Sequence, residues 1–166
     1  MISAIVAVDN NWGIGFNGEL LERIPVDMMN FKMLTENHMV VCGRKTWESI
    51  PKRPLSRRLA IVLSNKGFKV EPGAVFINMD HLKVHLDQVK DDPEMEWFVI
   101  GGGEVYKQLL PYCDKIYVTK IFKEHDDVDT YFPNLDNSSD WHGHPLHLPQ
   151  DYKDFLYQFW VYNRIN

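Results

Sequence analysis

Cysteine is scarce in this chain: Cys42 and Cys113 are the only two in 166 residues, and neither belongs to a CxxC pair. That argues against a disulfide framework. Cys42, inside the apolar run Met39-Val40-Val41-Cys42, reads instead as a reduced core residue. Basic charge is also short. Lys and Arg number 18 against 23 Asp and Glu, a net charge of −5, which is the opposite of the basic face that nucleic acid selects. An anionic ligand is still possible, because its recognition depends on local positive groups. No apolar run approaches the roughly 20 residues of a membrane span. The start, Met1-Ile2-Ser3-Ala4-Ile5, lacks the basic lead and cleavage pattern of a secretory signal. GxSxG, HExxH and Walker A sequences are missing, so the common hydrolase and NTPase readings have no support. The expectation is a cytosolic protein, monomeric by default, with one domain over residues 1–166.

What is present alternates between strands and helices. Ile2–Val8, Met39–Cys42, Leu59–Leu63 and Trp97–Ile100 are short runs rich in Ile and Val, the signature of strands buried on both faces. Ala74–Ile77 and Lys115–Ile121 are further strand candidates. Helices are expected from Pro25 to about Glu36, around Thr46–Ser49, over Asp80–Lys90 with Asp80 as N-cap, and over Glu104–Leu110 up to Pro111. Tyr152–Tyr162 places aromatics on both alternating faces and suits an antiparallel strand pairing with Lys115–Ile121 at a sheet edge. This pattern predicts an α/β domain on a mainly parallel sheet. Asp9–Arg23 has glycines and asparagines but also Trp12, Ile14, Phe16, Leu20 and Leu21, so it reads as a lid that packs over something.

Pro25 is suited to the first position of a helix, and that helix would align Asp27, Phe31 and Leu34 on one face with Met28 beside them. A carboxylate on an apolar stripe is unusual, since an unpaired buried charge is costly. The same acid would also serve simply as a partner for the helix dipole. Two strand-to-helix junctions, Gly43-Arg44-Lys45-Thr46 and Gly101-Gly102-Gly103, offer glycine turns and free backbone N–H groups. Such turns suit phosphate, or serve only a tight bend. Neither is the GxGxxG fingerprint. Ser64-Asn65-Lys66 closes a third strand with polar groups that bind phosphate or form an ordinary solvated turn. Arg53, Arg57 and Arg58 flank Pro54-Leu55, where a pair of arginines suits a carboxylate or simple solubility. His142, His144 and His147 fit no closed zinc spacing, and Pro145 interrupts them.

In order and spacing these segments resemble the dihydrofolate reductase family over nearly the whole chain. The carriers are Ile5-Val6-Ala7-Val8, Gly13-Ile14-Gly15, Ile24-Pro25-Val26-Asp27 with Phe31-Lys32, and Val41 through Ile50. They continue with Arg53-Pro54-Leu55 and Arg58, Ile61-Val62-Leu63-Ser64, Val99 through Gly103 with Val105-Tyr106, Tyr117-Val118-Thr119, and Asp129 through Pro133. The resemblance implies a central eight-stranded, mostly parallel sheet with an antiparallel C-terminal edge strand. It further implies NADPH as cofactor and reduction of 7,8-dihydrofolate to tetrahydrofolate, with hydride passing to C6. Asp27 would hold the pterin and promote protonation at N5, and Thr119 would brace it. Ile5, Val6, Ala7, Met28, Phe31, Ile50, Leu55, Ile100 and Tyr106 would line the substrate slot, and Arg58 would hold the glutamate tail. On the cofactor side the resemblance points to Ala7, Ile14, Leu20, Gly43, Arg44, Lys45, Thr46, Leu63, Ser64 and Asn65. Beyond these it points to Ile100, Gly102, Gly103, Glu104, Val105, Tyr106 and Thr130, with a cis peptide at Gly101-Gly102.

Two positions depart from the family pattern. Leu21-Glu22 stands where most members carry Pro-Trp, and Glu22 is expected either to face solvent or to make a water-mediated contact. Glu104 stands where some members place a cation toward the 2′-phosphate, which leaves Arg44, Lys45, Ser64 and Asn65 to favour NADPH over NADH. A non-catalytic pterin- or nucleotide-binding protein, or a reductase of another pyrimidine-like substrate, is the competing reading. Retention of both Asp27 and Arg58 speaks against it, because a pterin head with a glutamate tail needs both.

Overall fold

The computed structural model describes residues 1–165. In chain order the elements are β1 (Ile2–Val8), β2 (Gly13–Phe16), β3 (Glu19–Leu20), α1 (Pro25–Thr35), β4 (Met39–Gly43), α2 (Arg44–Ser49), β5 (Leu59–Leu63), β6 (Lys69–Glu71) and β7 (Ala74–Ile77). They continue with α3 (Met79–Val89), β8 (Trp97–Gly101), α4 (Gly103–Leu109), β9 (Lys115–Phe122), β10 (Thr130–Tyr131), β11 (Trp141–Pro145), β12 (Gln150–Tyr152) and β13 (Phe155–Arg164).

The main sheet runs β11-β13-β9-β1-β8-β4-β5-β7-β6, with β12 also paired to β13. Every neighbouring pair from β9 across to β7 is parallel, and β13 joins β9 antiparallel in the pairing expected of the aromatic segment. The sheet has ten strands rather than eight, because the three-residue β6 and β12 extend it. The last strand is also not an edge. β11 and β12 both pair with its far side, and the first of these is the histidine-containing stretch. Pro145 ends β11 on the outer rim, where its missing N–H costs the ladder nothing.

Strict alternation divides the parallel strands between two layers. Ile2, Ala4, Val6 and Val8 of β1, Val41, Val99 and Val118 pack with Leu82 and Leu86 of α3 and Val105 and Leu109 of α4. The opposite faces, Val40, Cys42, Ala60, Val62 and Phe98, pack on Trp47 of α2, with Leu34 of α1 at the margin. Helices therefore cover both sides, as buried parallel strands require. Cys42 and Cys113 are free thiols within these cores, and burial pushes each up to about 12.

Three local expectations shift. The N-cap of α3 is Asn78, whose Oδ1 accepts the His81 N–H at 2.7 Å, and Asp80 sits instead in the first turn; either residue type can cap, so sequence did not separate them. Arg44 and Lys45 are already helical in α2. The expected lid contributes β2 and β3 to a separate three-stranded sheet, β10-β2-β3, and folds back at Asn17-Gly18, both with positive φ as a tight hairpin turn requires. The peptides Arg53-Pro54 and Gly101-Gly102 are cis.

Candidate active site

Asp27 occupies the first turn of α1, whose start is set by Pro25 rather than by a side-chain cap. Its Oδ1 accepts a hydrogen bond from the Thr119 hydroxyl at 2.6 Å. Thr119 lies on β9, opposite Ala7 of β1 and Phe159 of β13, so three adjacent strands fix the donor. Burial raises the Asp27 carboxyl above its ordinary value, and the Thr119 hydrogen bond only partly offsets this. An acid with a raised pKa and a single neutral donor is poised to carry a proton nearer neutral pH.

Around it the slot is apolar. Ile5, Ile50, Leu55 and Ile100 edge the α2-side core, Ala7 edges the neighbouring cluster, and Phe31 is half-buried with Met28 at the rim. Ile100 lies on that side by alternation with Phe98, and the β4–β8 register slips beside it: Val41 faces Val99, but Cys42 already faces Gly101. The extra residue is a bulge, a common way to re-aim a side chain at a strand end. Tyr106 of α4 is buried and donates its hydroxyl to the Ile5 carbonyl at 2.7 Å, and burial holds its phenol protonated. Val6 does not line the slot. Its side chain belongs to the other layer, because β1 alternates, and only its backbone remains available on the cleft side.

Arg58 lies at the far end of α1. Its Nη1 donates to Thr35 Oγ1 at 3.1 Å, its Nε donates to the Ser56 carbonyl at 3.0 Å, and its guanidinium carbon stands 5.7 Å from the Phe31 ring centre. The fork is held in place with donors to spare for a carboxylate. Burial lowers its pKa and the Glu36 carboxylate opposes that shift. Arg53 lies over the Trp47 ring at 5.8 Å instead, and Arg57 is exposed.

The two glycine junctions face each other. A Cβ on Gly43 would meet Val105 of α4 at 3.3 Å, and one on Gly102 would meet Thr46 Oγ1 of α2 at 3.3 Å. Neither helix has a side-chain cap, so the first-turn amides of both are left for a ligand. A backbone cradle of this kind fits the pyrophosphate of a dinucleotide. Leu63 and Ser64 follow at the end of β5, where Ser64 Oγ accepts the Lys66 N–H at 3.2 Å, and Asn65 is exposed. Arg44 pairs with Glu48 at 3.0 Å and Lys45 is exposed. Glu104 is exposed and accepts from Gln108 at 3.2 Å, a contact within its own helix.

The lid segment spans residues 9–23. Ile14 is buried in the core, whereas Leu20 is 47% exposed and lines an outer groove with Phe16, Leu21 and His125. The tip of the lid is tied to Asp129, whose Oδ2 accepts the Asn17 N–H at 2.9 Å and whose own N–H donates to the Gly15 carbonyl at 3.1 Å. Thr130 donates to the other Asp129 oxygen at 2.8 Å and blocks any Cβ on Gly103. Glu22 does not simply face solvent, for it meets Lys123 and His125 at 3.3 and 3.0 Å. These partners were missed, because Glu124–Asp129 reads as a plain acidic loop in sequence.

An acid of raised pKa in an apolar slot beside a dinucleotide cradle defines a nucleotide-dependent α/β reductase. The dihydrofolate reductase family model matches residues 1–164. The dihydrofolate reductase of Bacillus subtilis is 41% identical over 139 residues, covering 84% of this chain and 79% of that protein. That of Sus scrofa is 36% identical over 186 residues, covering 99% and 98%. The solved dihydrofolate reductase from Enterococcus faecalis, complexed with NADP(H) and RAB-propyl, shares the fold with a TM-score of 0.81 at 30% identity, covering 100% of this chain and 97% of that one. The chain belongs to the dihydrofolate reductase family. Its reaction is the NADPH-dependent reduction of 7,8-dihydrofolate to tetrahydrofolate.

Proposed function

We propose that Asp27 is the catalytic acid of this reaction, and that the 2.6 Å Thr119–Asp27 hydrogen bond inside an apolar slot is the observation that carries the assignment. Thr119 is the carboxylate's one hydrogen-bond partner among the described residues, so capacity remains for the two N–H groups of a 2-aminopyrimidine edge. Ile5, Ala7, Met28, Phe31, Ile50, Leu55 and Ile100 hold the pterin and benzoyl rings and exclude water, which strengthens the contact to Asp27. The raised Asp27 carboxyl promotes protonation at N5. Bound NADPH supplies the hydride that C6 receives. Arg58 forks onto the tail carboxylate and fixes the long axis of the substrate.

On the cofactor side, Gly43, Gly102 and Gly103 admit the pyrophosphate, Arg44, Lys45 and Thr46 meet phosphate oxygens, and Ser64 and Asn65 receive the 2′-phosphate. Leu63, Val105, Ile14 and Thr130 border the same path, and Leu20 packs on the nicotinamide from the lid. The chain works as a single domain and a monomer. No helix among the described residues is long and apolar enough to cross a membrane, and the two buried free thiols support a cytosolic setting.

The test is purified protein with NADPH and dihydrofolate, following loss of reduced-nicotinamide absorbance. Asp27→Asn keeps shape but cannot deliver a proton, and turnover should fall by about 100-fold or more. Turnover equal to the parent in that variant would remove Asp27 from the mechanism.

A further inference from the structure

One charged cluster outside the slot joins both ends of the lid. Asp9 stands where the lid leaves β1, with its carboxylate fully enclosed. Its Oδ1 accepts the N–H groups of Asn11 at 2.9 Å and Gly13 at 2.8 Å. Its Oδ2 lies 3.2 Å from Nδ1 of His125 and 3.3 Å from that residue's backbone N–H. The other ring nitrogen, Nε2, is 3.0 Å from Oε1 of Glu22, close to where the lid returns to α1. Lys123 shares that oxygen at 3.3 Å and reaches Asp154 at 3.7 Å. A carboxylate only accepts hydrogen bonds and a neutral imidazole has one N–H, so only the imidazolium donates to both acids at once.

We propose that His125 is a positioning residue for the reaction: its imidazolium clamps the two legs of the lid, through Asp9 and Glu22, and holds the lid in register with the nicotinamide end of the cleft. The inference rests on the reading of residues 9–23 as the lid over the cofactor. When the ring loses a proton, one contact must open. Asp9 is enclosed and a donor lost there costs more, so the proton stays on that side and the Glu22 leg is left with Lys123 alone. Facing His125 are Asp9 and Glu22, with Lys123 alongside; Glu124, Asp126 and Asp127 flank it on its own loop, and Glu19 of β3 lines the same groove. Asp154 reaches the cluster through Lys123. Glu22 is thus a structural part of the lid.

The experiment compares the full-length wild type with His125→Gln and Glu22→Gln, measuring kcat and KM for NADPH and single-turnover hydride transfer between roughly pH 6 and 8. Loss of one charge-assisted hydrogen bond to the lid should raise KM for NADPH about tenfold in either variant, with kcat changed much less. The wild type should show a rise in KM with pH that both variants lack. Ring nitrogen chemical shifts of the wild type need no substitution, and with NADPH bound they should show both ring nitrogens of His125 protonated. Variants with the wild-type KM and pH profile would overturn the proposal, and so would a His125 ring that carries a single proton. A wild type that does not turn over dihydrofolate would overturn the reading of the reaction instead, and the ring shifts would still decide the clamp.

Discussion

Thr119→Val isolates the contact on which the catalytic assignment depends. Valine keeps nearly the same shape on β9, so the packing against Ala7 and Phe159 stays, but the hydroxyl that donates to Asp27 at 2.6 Å is gone. A hydrogen bond to a charged group is worth about 1.5–3 kcal/mol, or roughly 10- to 150-fold. Because the pterin's own N–H groups still satisfy the carboxylate in the complex, the loss in kcat/KM for dihydrofolate should fall at the lower end, about tenfold. The pH dependence moves the other way. Burial raises the Asp27 carboxyl and the Thr119 hydroxyl lowers it by favouring the charged form. Removing the hydroxyl therefore raises it further. Hydride transfer that depends on a proton from Asp27 then persists to higher pH in the variant. Single-turnover rates over roughly pH 5 to 9, with protiated and deuterated NADPH, measure this directly. A slower enzyme whose alkaline limb is unmoved, or moves to lower pH, would refute the argument.

Three further outcomes follow from the same geometry. Arg58→Lys replaces a fork held by Thr35 and Ser56 with a point charge, so KM for dihydrofolate should rise about tenfold or more while kcat stays near the parent. Gly103→Ala would place a Cβ 2.5 Å from Thr130 Cγ2, and steady-state kinetics should show a raised KM for NADPH, with a thermal melt recording a loss of about 1–3 kcal/mol. For Glu22, burial raises the carboxyl but the hydrogen bonds from His125 and Lys123 outweigh it, so it titrates below its ordinary 4.5. Stability from a depressed acid is present above the unfolded value and is lost as pH falls through the folded one. Thermal melts should therefore find Glu22→Gln less stable than the wild type by about 1 kcal/mol at neutral pH, with the gap closing as the pH is lowered below 4.5.

The parallel core was legible because its strands are short unbroken apolar runs, and Ile2–Val8, Leu59–Leu63 and Ala74–Ile77 appear with the bounds that the composition marks. β6, β11 and β12 were not, since Lys69-Val70-Glu71, Trp141–Pro145 and Gln150–Tyr152 carry no alternation and exist only because a longer strand offers them a partner. His147 shows the same dependence: its Nε2 accepts the Phe159 N–H at 3.0 Å, a contact between residues far apart in sequence. Asp27, Arg58 and the glycine junctions lie within local patterns that can be read one segment at a time. The Asp9–His125–Glu22 cluster joins three segments, and no spacing in the chain announces it.

Asp27 and Glu22 make that difference chemical. They are the same kind of group, both partly removed from water, on either side of the start of α1. Burial is the largest influence on each and pushes both upward. What separates them is the partner. Asp27 meets a neutral hydroxyl from a rigid strand, too weak to cancel burial, and ends above its ordinary value. Glu22 meets a lysine and a histidine from a loop and ends below it. Divergent environments for neighbouring acids are how one fold raises the pKa of one and lowers that of the other. Exchanging the two environments, with Thr119→Lys beside Asp27 or Lys123→Met beside Glu22, should drive each carboxyl toward the other's behaviour. In the first case this costs the proton that the reaction needs, and in the second the charge that secures the lid.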